Sequence, residues 1–351
     1  MTFQELFGTE LPIIQAPMAG VQDHRLAAAV SAAGGLGSLP CGLLEPTEVA
    51  AELRALTAAT DGPYNLNFFC HVVPAPDPDG EARWRELLAP YYAELGLDLG
   101  AEAVGRFRAP FGAATAAVVE ELRPPVVSFH YGLPAAPLLA RVKATGAKVI
   151  ATATTVLEAT WLEARGVDAV IAQGAEAGGH RGMFLGDVTT QVGTFALVPQ
   201  VVAAVDVPVI AAGGVASAAG VRAALALGAS GVQVGTAYLL CPEATTRPVH
   251  REALKSPGAA HTVITNVFTG RPARGIVNRL IRELGPLNDA VPPFPHAAKA
   301  LAALRVAAEA RGSTDFTHLW AGQNAAGCAE VPAGELTRRL AEPLRVAPRF
   351  P

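Results

Sequence analysis

The stretch Asp168-Ala-Val-Ile-Ala-Gln-Gly-Ala-Glu-Ala-Gly-Gly-His-Arg-Gly182 decides how the rest of the chain is interpreted. Its apolar start, residues 169–172, predicts a fully buried strand. The loop that follows carries His180 behind Gly178 and Gly179, which can take positive φ angles and lie close against a flat ligand. Because α/β enzymes place chemistry on loops at the carboxyl ends of strands, we predict a reactive histidine here. The alternative is a turn with a surface histidine.

Short apolar runs alternate with helical patterns on both sides of this stretch. Helical segments separate most of the runs, and this pattern predicts repeated strand–helix units. Eight such strands favour a (β/α)8 TIM barrel, and a doubly wound open sheet is the alternative. The other seven predicted strands lie at residues 11–17, 36–39, 64–69, 125–129, 148–151, 207–212 and 231–234.

The alternation ends after residue 239. Arginines, prolines and short polar pieces follow, and residues 297–311 form an alanine-rich helical pattern. We therefore predict a barrel over residues 1–239 and a small, mainly helical insertion over residues 240–295 that roofs the barrel mouth. A C-terminal segment over residues 296–351 is predicted to return to the barrel.

The composition limits the possible partners and surroundings. The 351 residues are 51% hydrophobic and 17% charged, with a net charge of −4 and no basic stripe, which argues against nucleic acid. The most apolar region, residues 201–240, is interrupted by charged residues, proline and glycine, which argues against a membrane span. No acidic group has the spacing of metal ligands, and no basic-then-apolar leader is visible. Scattered cysteines without a C-x-x-C pair favour a reducing, cytoplasmic setting: Cys41, Cys70, Cys241 and Cys328.

Two glycine loops predict a phosphate site. Residues 211–215 (Ala-Ala-Gly-Gly-Val) end the seventh strand, and residues 233–236 (Gln-Val-Gly-Thr) end the eighth. Both offer backbone N–H groups and lead toward helix N-termini, and barrels often bind phosphate between these two loops. The alternative is two ordinary turns. Neither loop is G-x-G-x-x-G, so a Rossmann dinucleotide site is not indicated.

Other side chains at strand ends suit a flat, ring-shaped ligand. Asn67 and Gln173 can supply amide donors and acceptors to the pyrimidine edge of an isoalloxazine ring, and Met18 offers an adaptable apolar surface. His130 follows the fourth strand and His180 the sixth, so both are predicted to face the same barrel mouth. Either can move a proton or hold positive charge beside an anion. Arg181 adds a permanent charge next to His180. The histidines predicted to be structural or on the surface include His24, His71 and His318.

The segment from Gln173 to Gly182 resembles the signature of the nitronate monooxygenases, formerly called 2-nitropropane dioxygenases. The resemblance covers nearly the whole chain and is to class I of that family. It extends to residues 15–20 (QAPMAG), 67–69 (NFF), 128–132 (SFHYG), 212–214 (AGG), 233–236 (QVGT) and 320–323 (WAGQ).

The resemblance implies a TIM barrel with a small helical insertion and non-covalent FMN. It implies oxidation of alkyl nitronates, of the propionate 3-nitronate type, by O₂ to a carbonyl compound and nitrite. An anionic flavosemiquinone and no metal would be involved. His180 matches the catalytic histidine of the family, and His130 a second active-site histidine. Together with the strand-end pattern, the predicted FMN contacts are Ala16, Pro17, Met18, Asn67, Gln173, Gly178, Gly179, Gly213, Gly214, Gln233, Val234, Gly235 and Thr236.

The sequence does not distinguish this activity from three alternatives. NAD(P)H:quinone reductases and flavin-dependent enoyl-acyl carrier protein reductases are similar to this family. A flavin-binding sensor without turnover is a third alternative, against which the pair His130 and His180 argues. The expected partners are a small-molecule nitronate and O₂, and the expected assembly is a monomer or a homodimer.

Overall fold

Eight parallel strands form a closed barrel at the centre of the protein. The computed structural model describes residues 2–100 and 109–342. Its strands are β1 (Ile13–Gln15), β2 (Gly37–Pro40), β3 (Tyr64–Phe69), β4 (Val126–His130), β5 (Lys148–Ala153), β6 (Ala169–Gln173), β7 (Gly179–His180), β8 (Val209–Ala212), β9 (Gly231–Val234), β10 (Thr262–Thr265) and β11 (Ala273–Ile276).

The ring of strands is complete. Its order is β1-β9-β8-β6-β5-β4-β3-β2, and a parallel bridge between Ile14 and Leu36 joins β1 to β2. All eight predicted strands are present, so the predicted (β/α)8 barrel is confirmed. The doubly wound alternative is wrong, because its sheet would have two open edges.

The helices are α1 (Phe3–Phe7), α2 (His24–Ala32), α3 (Pro46–Ala59), α4 (Pro78–Leu95), α5 (Ala113–Leu122), α6 (Ala136–Ala144), α7 (Val156–Glu163), α8 (Thr194–Ala204), α9 (Ala218–Ala226), α10 (Pro248–Lys255), α11 (Arg279–Leu284), α12 (Ala297–Ala310) and α13 (Ala333–Leu340). Short 3-10 turns cover Val188–Thr190, Thr236–Leu240, Pro257–Ala260 and Ala325–Gly327. Side-chain caps help to begin several helices. Asp23, for example, accepts a hydrogen bond from the backbone N–H of Arg25 at the start of α2.

The barrel interior is filled at its amino end by an element that the sequence analysis did not predict. A Cβ at Gly231, the first residue of β9, would lie 2.5 Å from the ring of Phe3. Helix α1 therefore packs against the amino ends of the strands. Its apolar side chains share one buried cluster with inward-facing strand residues: Phe3, Leu6, Phe7, Ile14, Leu36, Val126, Ile150, Ala169, Ile171, Ile210 and Ala212. Catalytic chemistry is thereby left to the carboxyl end of the barrel.

The last helix of the outer layer comes from far along the chain. Helix α13 packs against α2 and α9. Its Thr337 Oγ1 lies 2.9 Å from the buried Tyr238 Oη, which follows β9. Residues 241–332 thus form an insertion between the last barrel strand, β9, and this outer helix. The predicted C-terminal segment extends to residue 351, and its residues 343–351 lie outside the described residues.

A second hydrophobic cluster lies apart from the barrel core. It joins α4, which follows β3, to α11 and α12, and its largest buried side chain is Trp84. Trp84 Nε1 donates to the carbonyl oxygen of Ala297 across 3.2 Å. The barrel, insertion and C-terminal boundaries drawn at residues 239 and 295 stay predictions.

A small antiparallel sheet accompanies this second cluster. Its order is β10-β11-β7, so the loop after β6 adds its own strand to a hairpin at residues 262–276. The sequence pattern of residues 240–295 predicted helices there and not this hairpin. None of the helices in the described ranges combines the length and the apolar character needed to cross a membrane.

Candidate active site

A cavity of about 790 Å³ opens at the carboxyl ends of the barrel strands. Residues from β1, β3, β4, β5, β6, β8 and β9, or from the loops that follow them, form its floor. Helices α10 and α12 and residues 317–324 form its outer wall. Its size is within the range of cofactor and small-molecule sites.

The cavity brings together nearly all the predicted site residues. Val234 is the exception, because its side chain is buried in the hydrophobic core between the strands and helices. The predicted residues that line the cavity are Ala16, Pro17, Met18, Asn67, His130, Gln173, Gly178, Gly179, His180, Gly213, Gly214, Gln233, Gly235 and Thr236.

The backbone of His180 is fixed from two sides. As part of β7, it pairs with Ala273 of β11. Its carbonyl oxygen accepts hydrogen bonds from Nε2 of Gln173 at 3.1 Å and from Nε2 of His130 at 3.2 Å. Oε1 of Gln173 also accepts from the backbone N–H of Gly182 at 2.8 Å. The Gln173 amide thus holds the histidine loop, in addition to facing the cavity.

The protonation of His130 follows from its partners. Because a carbonyl oxygen only accepts, Nε2 of His130 carries the proton that it shares with His180. Nδ1, 3.1 Å from Thr152 Oγ1, then accepts from that hydroxyl. Burial lowers the pKa of His130 to about 3, with the positive charges of Arg271 and Arg181 acting in the same direction. His130 is therefore neutral at ordinary pH and orients the loop.

The ring of His180 has a different environment. Its Nε2 lies 2.9 Å from Oγ1 of Thr269, a residue of the β10–β11 hairpin that the sequence analysis did not single out. The aromatic rings of Trp320 and Phe294 lie 5.5 and 5.6 Å from it, centroid to centroid. The ring is half-buried and lines the cavity, so it can meet a ligand there.

Arg181 faces away from the cavity. It is fully buried and donates to the carbonyl oxygens of Gly174 at 2.8 Å and Gln173 at 2.7 Å, and to Oε1 of Gln191 at 2.7 Å. Burial and the nearby Arg274 lower the pKa of Arg181 to about 10, so the guanidinium stays charged at neutral pH. Arg181 clamps the loop from behind, and it is not among the residues that line the cavity.

The two glycine loops form a close-fitting cradle. Gly213 and Gly214 have φ angles of 112° and 73°, which L side chains rarely adopt. A Cβ at Gly178 would lie 2.5 Å from the backbone nitrogen of Gly322. Gly322 in turn donates to Oγ1 of Thr236 across 2.9 Å. Backbone of Gly178, Gly213, Gly214 and Gly322 therefore lines this side of the cavity beside the Thr236 hydroxyl, and glycine backbone can present N–H groups to an anion.

Amide groups face the other part of the cavity. Oε1 of Gln233 is buried and has no hydrogen-bond partner among the residues that the structure describes. Nδ2 of Asn67 donates to Oγ of Ser128 across 2.9 Å, which fixes the orientation of that side chain. A buried acceptor without a partner indicates a ligand that donates to it.

The outer wall holds groups that the sequence analysis missed. Arg247, Lys299 and Arg305 line it, and Arg247 donates to Oε1 of Glu309 across 2.8 Å. Burial and the nearby Arg247 lower the pKa of Arg305. The sequence signal that could have found them is the presence of Lys299 and Arg305 in the otherwise alanine-rich helix α12.

The histidines named above among those predicted to be structural or on the surface have different positions. His318 lines the cavity, which corrects its assignment. His71 is buried against the ring of Phe294, at 4.8 Å between centroids, and His24 pairs with Glu52 across 3.0 Å at the surface. Between residues 2 and 342, outside 101–108, no three His, Cys, Asp or Glu side chains are grouped as metal ligands.

Comparison with known proteins points to one family. The profile of the nitronate monooxygenase family matches residues 2–342. A nitronate monooxygenase of Pseudomonas aeruginosa is 45% identical over 348 residues, which are 98% of this chain and 99% of that protein. The structure of a nitroalkane oxidase from Streptomyces ansochromogenes has a TM-score of 0.88 and 39% identity, covering 97% of this chain and 96% of the other. FabK from Thermotoga maritima has a TM-score of 0.70 and 28% identity, covering 97% and 94%.

Proposed function

The chain belongs to the nitronate monooxygenase family, and we propose that it uses FMN and O₂ to convert alkyl nitronates to a carbonyl compound and nitrite. It is an oxidoreductase, and oxidation of nitronates is the activity that its relatives support. One observation carries the proposal: His180 and the two glycine loops line the same cavity at the carboxyl end of the barrel.

The cavity fits FMN at its phosphate end. Gly213 and Gly214 would present backbone N–H groups to the phosphate from the loop after β8, and Gly235 and Thr236 from the loop after β9. The positive φ angles of the first pair keep side chains out of the way. One such cradle holds one phosphate group, and the chain has no fingerprint for an adenosine dinucleotide, which favours FMN over FAD.

The cavity also fits the ring of the cofactor. Gln233 would receive a hydrogen bond from the polar edge of the ring or the ribityl chain at its buried Oε1, which has no partner within residues 2–100 and 109–342. Asn67 lies at the end of β3 and Met18 after β1, so they would contact the ring edge and face. When bound, FMN supplies the electron-transfer chemistry that protein side chains lack.

His180 is the group that we assign to the substrate. Its ring lines the cavity, and its backbone is held by β11, Gln173 and His130. As a neutral imidazole it would remove the proton of a nitroalkane carbon, and as an imidazolium it would stabilise a nitronate anion. His130 is held neutral by burial, so we assign it an orienting role.

The rings around His180 complete this site. Trp320 and Phe294 pack near the imidazole and would limit the access of water, which would strengthen electrostatic interactions with a bound anion. On the outer wall, Lys299 and Arg305 would attract a substrate that carries a second negative charge.

Oxygen uptake tests the proposed function. The purified protein should release FMN on denaturation and consume O₂ with propionate 3-nitronate in the absence of NAD(P)H. A protein that binds no FMN would contradict the cofactor assignment. Rapid flavin reduction by NADH or NADPH, with electron transfer to a quinone or to an enoyl thioester and no nitronate turnover, would favour the reductase alternatives.

We also propose a cellular location and an oligomeric state. The scattered cysteines favour a reducing cytoplasm, and a monomer or homodimer is expected. Fractionation of cells and light scattering of the purified protein test these two points.

A further inference from the structure

A hydroxyl group from outside the barrel contacts the ring of His180. Thr269 Oγ1 lies 2.9 Å from Nε2 of His180, and Thr269 is 1% exposed. We propose that Thr269 is a positioning residue that fixes the orientation of the His180 ring and the nitrogen that carries its proton. The inference rests on the proposed function, because it matters for catalysis only where His180 acts on the substrate.

The turn that carries Thr269 is held rigidly. The backbone N–H of Gly270 donates to the carbonyl oxygen of Asn266 across 2.8 Å. The side chain of Asn266 makes two hydrogen bonds with the backbone of Asn288, each 3.0 Å long. A Cβ at Gly270 would overlap the carbonyl oxygen of Pro292. The Thr269 hydroxyl therefore has a defined place.

The proposed arrangement also assigns the proton between the two side chains. The single hydroxyl proton of Thr269 has two acceptors within reach, the carbonyl oxygen of Arg271 at 3.3 Å and Nε2 of a neutral His180 at 2.9 Å, and the proposed arrangement directs it to the carbonyl oxygen, which can only accept. The Thr269 oxygen then accepts from Nε2–H of His180. Thr269 thus favours the Nε2–H form of a neutral His180, in the same way that the His180 carbonyl fixes the Nε2–H form of His130.

This contact couples two parts of the protein at the reactive group. The backbone of His180 is tied to the barrel through Gln173 and His130, and its ring is tied to the β10–β11 hairpin through Thr269. A catalytic ring that is held at both places keeps its orientation while the substrate changes charge. A displacement of about 1 Å at such a position can cost roughly 10²-fold in rate.

The test uses the FMN-loaded enzyme and three variants. Thr269→Val removes the hydroxyl, and Thr269→Ala does so without a new methyl group to bury. Thr269→Ser keeps the hydroxyl. As a matched control, Thr265→Val removes another buried hydroxyl of the same hairpin, which accepts from the backbone N–H of Val267. The measurements are kcat and KM for a neutral nitroalkane such as nitroethane and for propionate 3-nitronate, and ¹⁵N spectra of histidine-labelled enzyme, with His180→Asn to assign the His180 signals.

The expected result separates orientation from general stability. In Thr269→Val and Thr269→Ala, kcat for the neutral nitroalkane falls by roughly 10- to 10²-fold with little change in KM, kcat for propionate 3-nitronate falls less, and the His180 signals lose the Nε2–H pattern. Thr269→Ser restores both, and Thr265→Val leaves the His180 signals as in the unmodified enzyme. Unchanged His180 signals in the first two variants, or a serine variant as impaired as they are, would overturn the proposal. An unmodified enzyme that is inactive on nitronates would instead overturn the proposed function, and with it the role of Thr269.

Discussion

His130 donates a hydrogen bond from Nε2 to the backbone carbonyl oxygen of His180 across 3.2 Å. The two histidines of the barrel mouth are thus related through backbone, with one ring holding the chain that carries the other. Their roles differ accordingly, and the difference can be measured.

Replacement of His180 tests its role toward the substrate. His180→Asn keeps a polar side chain and removes the titratable ring, while the glycine loops are unchanged, so FMN should remain bound. Turnover of neutral nitroalkanes should fall by roughly 10²–10⁴-fold, the range for loss of a general base. Turnover of pre-formed nitronates should fall less, because their proton is already gone. Steady-state O₂ uptake on both substrate forms gives the comparison. Equal, small losses would contradict the base assignment, and loss of FMN would make His180 a structural part of the cofactor loop.

The buried neutral state of His130 predicts an acid-sensitive fold. Its pKa in the folded protein is about 3, below the ordinary value of 6.5. The unfolded chain therefore binds more protons between these values, and stability is lost as the pH falls through this window, by at most about 1.4 kcal/mol per pH unit. His130→Gln should show a shallower loss between pH 6.5 and 4 in urea unfolding. His261→Gln, at an exposed position, is the control and should follow the unmodified protein. A His130→Gln profile as steep as that of the unmodified protein would argue against the buried neutral ring.

Substitutions at two glycines with similar positive φ angles distinguish an effect on cofactor binding from an effect on stability. Gly214 in the cradle has a φ angle of 73°, and Gly146, after α6, has one of 87°. A Cβ at Gly214 would have its nearest neighbour at 3.5 Å, and one at Gly146 would meet nothing within 4 Å, so neither alanine clashes. Each substitution should cost about 1–2 kcal/mol of conformational energy. Only Gly214→Ala should also weaken the binding of FMN, by roughly 10-fold in Kd. Relief of the unfavourable φ angle would shift the backbone of the cradle, and with it the N–H groups that would hold the phosphate.

Flavin fluorescence titration of the apoprotein, with melting temperatures alongside, decides this comparison. A Gly146→Ala protein that loses FMN as readily as Gly214→Ala would show that the loss reflects general destabilisation. An unchanged Kd in Gly214→Ala would remove this loop from the phosphate site.

The outer wall predicts a preference among nitronates. Arg305 is half-buried and lines the cavity. Arg305→Gln should raise KM for propionate 3-nitronate by roughly 10-fold, about the 1.4 kcal/mol expected for one lost charge contact, and should change KM for ethyl nitronate much less. Arg338→Gln, on the exposed side of α13, is the control. Equal effects on the two substrates would show that Arg305 does not recognise the second charge.

The amino-acid sequence alone predicts the barrel and the residues at its mouth. Runs such as residues 169–172 are buried on both faces, so they are uniformly apolar and easily recognised. The glycine, amide and histidine residues that follow those runs must meet at one end, because the carboxyl ends of parallel strands share an edge. For this reason the order of residues along the chain is enough to place Asn67, His130, Gln173 and Gly214 in one site.

The direction that each side chain faces, and the elements that cover the site, follow from the tertiary structure and not from local sequence patterns. His180 and Arg181 are neighbours in sequence, yet His180 lines the cavity and Arg181 is buried behind the loop. The reason is that successive residues of an extended strand point to opposite sides, and the strand β7 exists only because β11 pairs with it. Thr269 reaches the ring of His180 from a hairpin position 89 residues further along the chain, and Arg305 reaches the cavity from a helix position 125 residues beyond His180. Local patterns of apolar and polar residues do not encode contacts over such distances along the chain.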